Sequence, residues 1–198
     1  MLTKLKAKIQ SAIKTQAKTA DKIGLTPNMI SVTGMILAFT AALAYTCGHE
    51  NLLLAVILLL LSGYCDVLDG ALARICQKAT PFGGFLDSLM DRYADSAVYA
   101  GMIFGELCTI HWGFIALIGS LLVSYTRARA EAADIKMETI GLAERAERII
   151  ILATASLAEL FLASAIEAGI ILIAILTNIT VLQRSLYAYK FLKVKAEN

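Results

Sequence analysis

Four aspartates stand in two pairs between strongly apolar stretches of this sequence. Asp66 and Asp69 are three residues apart and Asp87 and Asp91 are four apart, so each pair lies on one face if its segment is helical. Carboxylate oxygens are the ligands that Mg²⁺, Mn²⁺ and Ca²⁺ prefer, and two divalent ions would neutralise four carboxylates. The spacing therefore predicts a centre for hard divalent cations, which could in turn bind a diphosphate.

A helical hairpin would bring the two pairs together. If one helix continues for about two turns past Asp66 and the next begins at Pro81, then Asp69 faces Asp87 and Asp66 faces Asp91. At 1.5 Å per residue, the first pair lies roughly 8 Å from the bend and the second roughly 12–15 Å. In a membrane each carboxylate costs about 2.5–3.5 kcal/mol at a helix centre, and close neighbours repel by about 4 kcal/mol. Bound cations are therefore needed.

Two other interpretations remain open for these acids. They could be the surface charge of a solvated loop, or they could line the pathway of a divalent cation transporter, because intramembrane acids often serve transport. The first is disfavoured because the spacing runs through apolar, helical sequence. The second is disfavoured because no internal repeat is visible and because Arg74 lies beside the acids. A fixed arginine adds little to a cation pathway but binds a diphosphate well.

The whole chain is unusually apolar. Of its 198 residues, 58% are hydrophobic and 17% are charged, with a net charge of +2, whereas soluble domains average roughly 25% charged residues. Six apolar runs predict six transmembrane helices, at about residues 29–46, 52–63, 86–104, 112–125, 149–163 and 168–182. We expect an all-α integral membrane protein, with no separate soluble domain and no nucleic-acid partner.

The N-terminal segment differs from these runs. Apolar residues recur at helical spacing among lysines (Leu2, Leu5, Ile9 and Ile13 among Lys4, Lys6, Lys8, Lys14 and Lys18). Residues 1–24 are therefore predicted to form an amphipathic helix on the membrane surface, preceding a membrane domain at residues 25–198; a solvated basic tail is the alternative. Among the segments that connect the predicted spans, every second one contains Lys or Arg and the others contain none. The positive-inside rule therefore places both termini and the aspartates on the cytoplasmic side of the cell membrane.

The aspartates belong to a longer pattern. Asp-x2-Asp-Gly-x2-Ala-Arg, followed by Gly-x3-Asp-x3-Asp, runs from Asp66 to Asp91 and resembles the signature of the CDP-alcohol phosphotransferase family. Through the family's six spans and cytoplasmic site, the resemblance covers essentially the whole chain. It implies an enzyme in which an acceptor hydroxyl attacks the lipid-side phosphate of CDP-diacylglycerol or CDP-archaeol and CMP is released. It also implies two Mg²⁺ ions, or Mn²⁺, and a homodimer.

The resemblance assigns roles by motif position. Asp66, Asp69, Asp87 and Asp91 would hold the metals, and Asp91 would also take the proton from the attacking hydroxyl. The remaining assigned positions would bind the CDP-lipid: Asn28, Met29, Ile30, Ser31, Gly70, Ala73, Arg74 and Thr80.

Arginines between the fourth and fifth predicted spans bear on the acceptor. Arg127, Arg129, Arg145 and Arg148 lie there, and a guanidinium binds phosphate bidentately, so a phosphorylated acceptor is expected; a purely topological role is the alternative. "RARAEA" followed by "GLAERAER" resembles the branch that makes phosphatidylinositol phosphate, or its archaeal ether counterpart, from inositol 1-phosphate. That match would place the acceptor's phosphate on Arg127, Arg129, Arg148 and Arg184. Glycerol 3-phosphate and CDP-inositol chemistry are the alternatives.

Small residues also form a stripe in the third predicted span. Ala97, Gly101 and Gly105 recur every four residues, which suits close helix contact. The stripe could pack within the chain or between two copies.

Overall fold

A computed structural model describes residues 13–137 and 140–197. Within these residues all regular structure is helical: α1 (13–22), α2 (Pro27–Thr46), α3 (Leu52–Ile75), α4 (Pro81–Phe104), α5 (Ile110–Glu131), α6 (Arg145–Glu159) and α7 (Ala165–Glu197), with a 3₁₀ turn at Gly48–Asn51. Helix α2 packs on α3 and α4, α3 on α6, α4 on α5, and α7 on both α5 and α6. The predicted all-α class is confirmed for the described part of the chain.

Three of these segments are long and apolar enough to cross a membrane: Pro27–Thr46, Gly48–Ile75 and Ala165–Val194. Helices α4 and α5 contain 24 and 22 residues, which is sufficient length, but both carry charged residues. Helix α6 has only 15 residues, fewer than the roughly 20 that a straight span needs. The six-span count therefore stays a prediction.

Helix α7 corrects one predicted boundary. The last apolar run ends near residue 182, but the helix continues to Glu197. Residues 183–197 contain neither glycine nor proline, so nothing in the local sequence stops the helix.

The α3–α4 hairpin forms where the sequence predicts it. Gln77, at φ 56°, adopts the left-handed conformation just after α3, and the amide of Lys78 bonds back to the carbonyl of Ala73, which is a common way to end a helix. Helix α4 then begins with Pro81, and the Thr80 hydroxyl accepts a hydrogen bond from the amide of Gly83 at 3.0 Å. These local signals set the length of the bend and hence the depth of the aspartates.

Helix α1 packs on the end of this hairpin. Ala17 and Ala20 are buried against Ala71 and Leu72 of α3 and Ile30 of α2, whereas the lysines of α1 are exposed. Residues 1–12, which carry most of the predicted amphipathic pattern, lie outside the described residues.

The small-residue stripe of α4 packs within the chain. A side-chain carbon at Gly101 would collide with the backbone of Ala42 in α2, and one at Gly105 would collide with the carbonyl of Tyr45. Both glycines are therefore needed for the close approach of α2 and α4.

We expect Gly101→Ala to lower the free energy of unfolding by about 1–3 kcal/mol, because the added methyl must displace backbone rather than a flexible side chain. The thermal midpoint of the detergent-solubilised protein reports this loss of stability, with the folded fraction at each temperature detected by size-exclusion chromatography. Gly84→Ala in the same helix is the matched control, since a side-chain carbon there meets open space. Equal midpoints for the two variants would contradict the assigned packing.

Candidate active site

Three of the aspartates form a compact group on the hairpin. One carboxylate oxygen from each of Asp66, Asp69 and Asp87 lies within 4.8 Å of the other two. Asp69 is buried and the other two are partly buried. Three convergent carboxylates of this kind provide the oxygen ligands and negative charge that a hard divalent cation requires. The residues present therefore fit the predicted metal.

A residue of α2 fixes one of these ligands. The Ser31 hydroxyl lies 2.6 Å from Oδ2 of Asp69 and donates to it, and Ser31 is itself buried. A hydrogen bond of this kind orients a carboxylate and leaves its second oxygen for an ion. Ser31, predicted to contact the CDP-lipid, thus also supports the acid group.

Asp91 lies close to the other three aspartates, and Arg145 contacts both Asp91 and Asp66. All four aspartates and Arg145 line one narrow cleft between α2, α3, α4 and α6. Nη1 of Arg145 lies 2.9 Å from Oδ1 of Asp66 and 2.9 Å from Oδ1 of Asp91. The two deeper aspartates are therefore brought together as the hairpin geometry predicts, but with a guanidinium between them.

Asp95 connects this arginine to a second one. Its Oδ1 accepts a hydrogen bond from Nε of Arg145 at 3.2 Å, and its Oδ2 accepts one from Nη2 of Arg148 at 2.8 Å. Neither Arg145 nor Asp95 is among the positions that the family resemblance assigns to the metals, the CDP-lipid or the acceptor phosphate. The available signal was that Arg145 belongs to the same arginine-rich segment and that Asp95 follows Asp91 by one helical turn.

A cavity of about 200 Å³ opens beside the acid group, between the hairpin and the start of α2. Most of the predicted CDP-lipid residues line it: Asn28, Ser31, Gly70, Ala73, Arg74 and Thr80, together with Asp69 and Asp87. Lys78 and Gly83 also line it and were not predicted. The guanidinium of Arg74 lies over Gly70, where a side-chain carbon would approach it to 3.1 Å. The cavity thus presents a cation next to the acids.

Met29 and Ile30 do not line this cavity, although they were predicted to contact the CDP-lipid. Met29 is 51% exposed, and its amide caps α2 by donating to the Thr26 hydroxyl. Ile30 is buried against α1 and α3. Successive residues of a helix point in different directions, so only Asn28 and Ser31 of this run face the cavity.

A second cavity, of about 240 Å³, lies on the other side of Asp91. Five arginines line it, together with Glu144 and Glu147: Arg92, Arg127, Arg145, Arg148 and Arg184. Arg129 is exposed and does not line it, because it lies two residues from Arg127 and so points to a different side of α5. Three of the four predicted acceptor residues are therefore brought together.

The two innermost arginines are held rigidly. Arg184 is 2% exposed and donates from Nε to the Ile140 carbonyl at 2.7 Å and from Nη1 to the Val123 carbonyl at 2.5 Å. Arg148 is 3% exposed and donates to the Ala143 carbonyl as well as to Asp95. Arg184 also lies 3.4 Å from Oε1 of Glu144 through Nη2, so both buried cations are paired, as such groups must be. An anion in this cavity would find them already oriented.

Comparison with known proteins agrees with this geometry. The profile of the CDP-alcohol phosphatidyltransferase family matches residues 24–182. The chain belongs to this family, and it is a transferase of the kind that the aspartate signature predicts.

Particular relatives narrow the comparison. The chain is 41% identical over 194 residues to an archaetidylinositol phosphate synthase of Pyrococcus horikoshii, covering 98% of this chain and 100% of that protein. It is also similar to the crystal structure of Mycobacterium tuberculosis phosphatidylinositol phosphate synthase with CDP-DAG bound, at 29% identity and a TM-score of 0.77, covering 89% and 93% of the two chains. The same enzyme in complex with manganese and citrate gives a TM-score of 0.77, at 29% identity, with 89% and 88% covered.

Proposed function

We propose that this protein transfers the phospholipid part of a CDP-lipid to a hydroxyl of myo-inositol 1-phosphate, releasing CMP and forming a lipid inositol phosphate. The observation that carries the proposal is the position of Asp91, which lines both the four-aspartate cleft and the arginine cavity. The full-length similarity to an archaetidylinositol phosphate synthase supports the same acceptor.

Each part of the site would have one task. Asp66, Asp69, Asp87 and Asp91 would hold two divalent ions, Mg²⁺ or Mn²⁺, which supply Lewis-acid neutralisation of the diphosphate when bound. The complex of the M. tuberculosis enzyme with manganese supports a divalent metal. Residues of the 200 Å³ cavity would bind the CDP-lipid, with Arg74 placed for its phosphates and Gly70 leaving space for them.

The arginine cavity would bind the phosphate of the acceptor. Arg127, Arg148 and Arg184 converge there, and they would hold inositol 1-phosphate with a hydroxyl facing Asp91. Asp91 would take the proton of that hydroxyl while the hydroxyl oxygen forms a bond to the lipid-side phosphorus. The bond from that phosphorus to the bridging oxygen breaks, and CMP leaves with both electrons. Arg129 is not assigned a contact in this proposal.

The arrangement in the membrane is also proposed. Residues 25–198 would form a six-span domain in the cell membrane, and residues 1–24 would lie on its cytoplasmic surface. The burial pattern of α1 and the absence of Lys and Arg from the loops opposite the aspartates support this orientation. A homodimer would form through helix faces other than the glycine stripe, which α2 covers.

A runner-up acceptor shares the essential chemistry. Glycerol 3-phosphate also carries a phosphate and would use the same arginines. In the CDP-inositol alternative, the inositol substrate and not the lipid would carry the nucleotide. The family match favours a transferase over the cation transporter that the acids alone allow.

Release of CMP by purified protein tests the proposal. The reaction contains CDP-archaeol or CDP-diacylglycerol, Mg²⁺, and one acceptor: inositol 1-phosphate, glycerol 3-phosphate, free inositol or serine. We expect inositol 1-phosphate to be used best, and at least about tenfold better than free inositol, because the lost phosphate contacts are charge-assisted. If CMP were released faster with glycerol 3-phosphate, that compound would be the acceptor in place of inositol 1-phosphate. If none of the four compounds led to CMP release, the proposed reaction would be rejected.

A further inference from the structure

Arg145 belongs to both parts of the site. Its guanidinium lies between Asp66 and Asp91, two of the predicted metal ligands, at 2.9 Å from an oxygen of each. The same side chain lines the arginine cavity beside Arg148. One cation therefore faces the carboxylates on one side and the proposed phosphate site on the other.

The contacts of Arg145 with the two metal carboxylates are ionic and are not directed hydrogen bonds. Nη1 lies at ion-pair distance from both oxygens, yet it makes no well-directed hydrogen bond to either. The directed hydrogen bond of this side chain runs from Nε to Asp95, which is not one of the predicted ligands. Only charge attraction thus holds the Nη1 end in the cleft.

A divalent ion and this guanidinium compete for the same place. An ion held by Asp66 and Asp91 would share the oxygens that Nη1 contacts, and a double positive charge would then stand directly beside a single one. Like charges at such a distance repel strongly in a partly buried site. The compact group of Asp66, Asp69 and Asp87 does not include Asp91, whereas Arg145 contacts Asp91 directly, so the conflict is greatest for the ion that Asp91 would bind.

We propose that Arg145 is an internal cation that exchanges with the second divalent ion. When that ion binds to Asp91, the guanidinium leaves the cleft and enters the adjoining arginine cavity, where it joins Arg127, Arg148 and Arg184 in holding the phosphate of the acceptor. Arg145 is thus a positioning residue for the metal centre and a binding residue for the phosphate. The inference rests on the proposed function, since it needs an ion at Asp91 and a phosphate in that cavity.

The exchange couples two binding events. A phosphate in the cavity stabilises the displaced arginine and so favours the second ion, and the second ion favours phosphate to the same extent, because such coupling is reciprocal. The enzyme would complete its metal centre most readily with an acceptor in place.

Binding of Mn²⁺ to the full-length purified protein, followed by electron paramagnetic resonance without any CDP-lipid, tests the exchange. For the wild type we expect a tighter and a weaker ion, and we expect inorganic phosphate to tighten the weaker one by about fivefold or more. Arg145→Gln should bind the weaker ion about tenfold more tightly without phosphate and lose most of the response to phosphate. The tighter ion should be unchanged and so report that the variant is folded.

Arg129→Gln is the matched control. It removes the same charge, but Arg129 is exposed and lines neither the aspartate cleft nor the arginine cavity. We expect this variant to bind both ions as the wild type does and to keep the response to phosphate. If both variants tighten the weaker ion equally, or if Arg145→Gln weakens it, the exchange is wrong.

The wild-type titration tests the exchange even if Arg145→Gln does not fold. If phosphate does not change the affinity of the wild-type protein for the weaker ion, the exchange is wrong. Inorganic phosphate and inositol 1-phosphate are compared in parallel. A response to inorganic phosphate but not to inositol 1-phosphate would leave the exchange standing and reject the proposed acceptor.

Discussion

Asp91→Asn is expected to reduce kcat for CMP release by at least about 10²-fold, with all substrates and Mg²⁺ saturating. Asparagine keeps the size of the side chain but cannot take the proton of the attacking hydroxyl, and general-base catalysis typically contributes about 10²–10⁴-fold. The loss of one negative charge also weakens the second ion, so the Mg²⁺ dependence should move to higher concentration.

The control for this substitution is Asp134→Asn. Asp134 is exposed, lies in the loop after α5 and has φ 60°, a conformation that asparagine adopts as readily as aspartate. We expect its kcat to match that of the wild type. Wild-type turnover in Asp91→Asn, measured with the same protein preparation, would reject Asp91 as the base.

Arg148→Gln is expected to raise KM for inositol 1-phosphate by roughly 10- to 100-fold, because a hydrogen bond to a charged group contributes about 1.5–3 kcal/mol. KM for the CDP-lipid should stay within about twofold, since Arg148 lines the arginine cavity and not the cavity beside Arg74. Initial rates of CMP release with each substrate varied in turn provide both constants.

Arg129→Gln provides the comparison for Arg148, because it removes the same charge from outside the cavity. Its KM for inositol 1-phosphate should change by less than about threefold, as expected for a screened surface charge. If Arg148→Gln raised both KM values equally, its role would be to hold Asp95 and the α5–α6 segment in place and not to bind phosphate.

The acid group was predictable because its geometry is local. The spacings within the pairs Asp66/Asp69 and Asp87/Asp91, and proline at the start of α4, determine depth and face on two consecutive helices. Helix periodicity and a tight bend require no knowledge of the rest of the chain. The same reasoning would have separated Arg129 from Arg127, since residues two apart point to different sides of a helix.

The position of Arg145 could not be predicted in this way. It begins α6, and it reaches Asp66 and Asp91 only because α6 packs on α3. No local pattern in the sequence states which helices are neighbours. The predicted acceptor set grouped arginines by composition and family resemblance, so it could not tell which one turns towards the acids.

The matching starts of α2 and α4 have a consequence for anion binding. Each helix begins with a proline that follows a capping threonine, and residues of both helix starts line the cavity beside Arg74. The amide groups at a helix start carry a partial positive charge of about half a unit, and two such ends converge here. In the proposed CDP-lipid site, part of the attraction for phosphates would therefore come from the backbone, which side-chain substitutions leave in place.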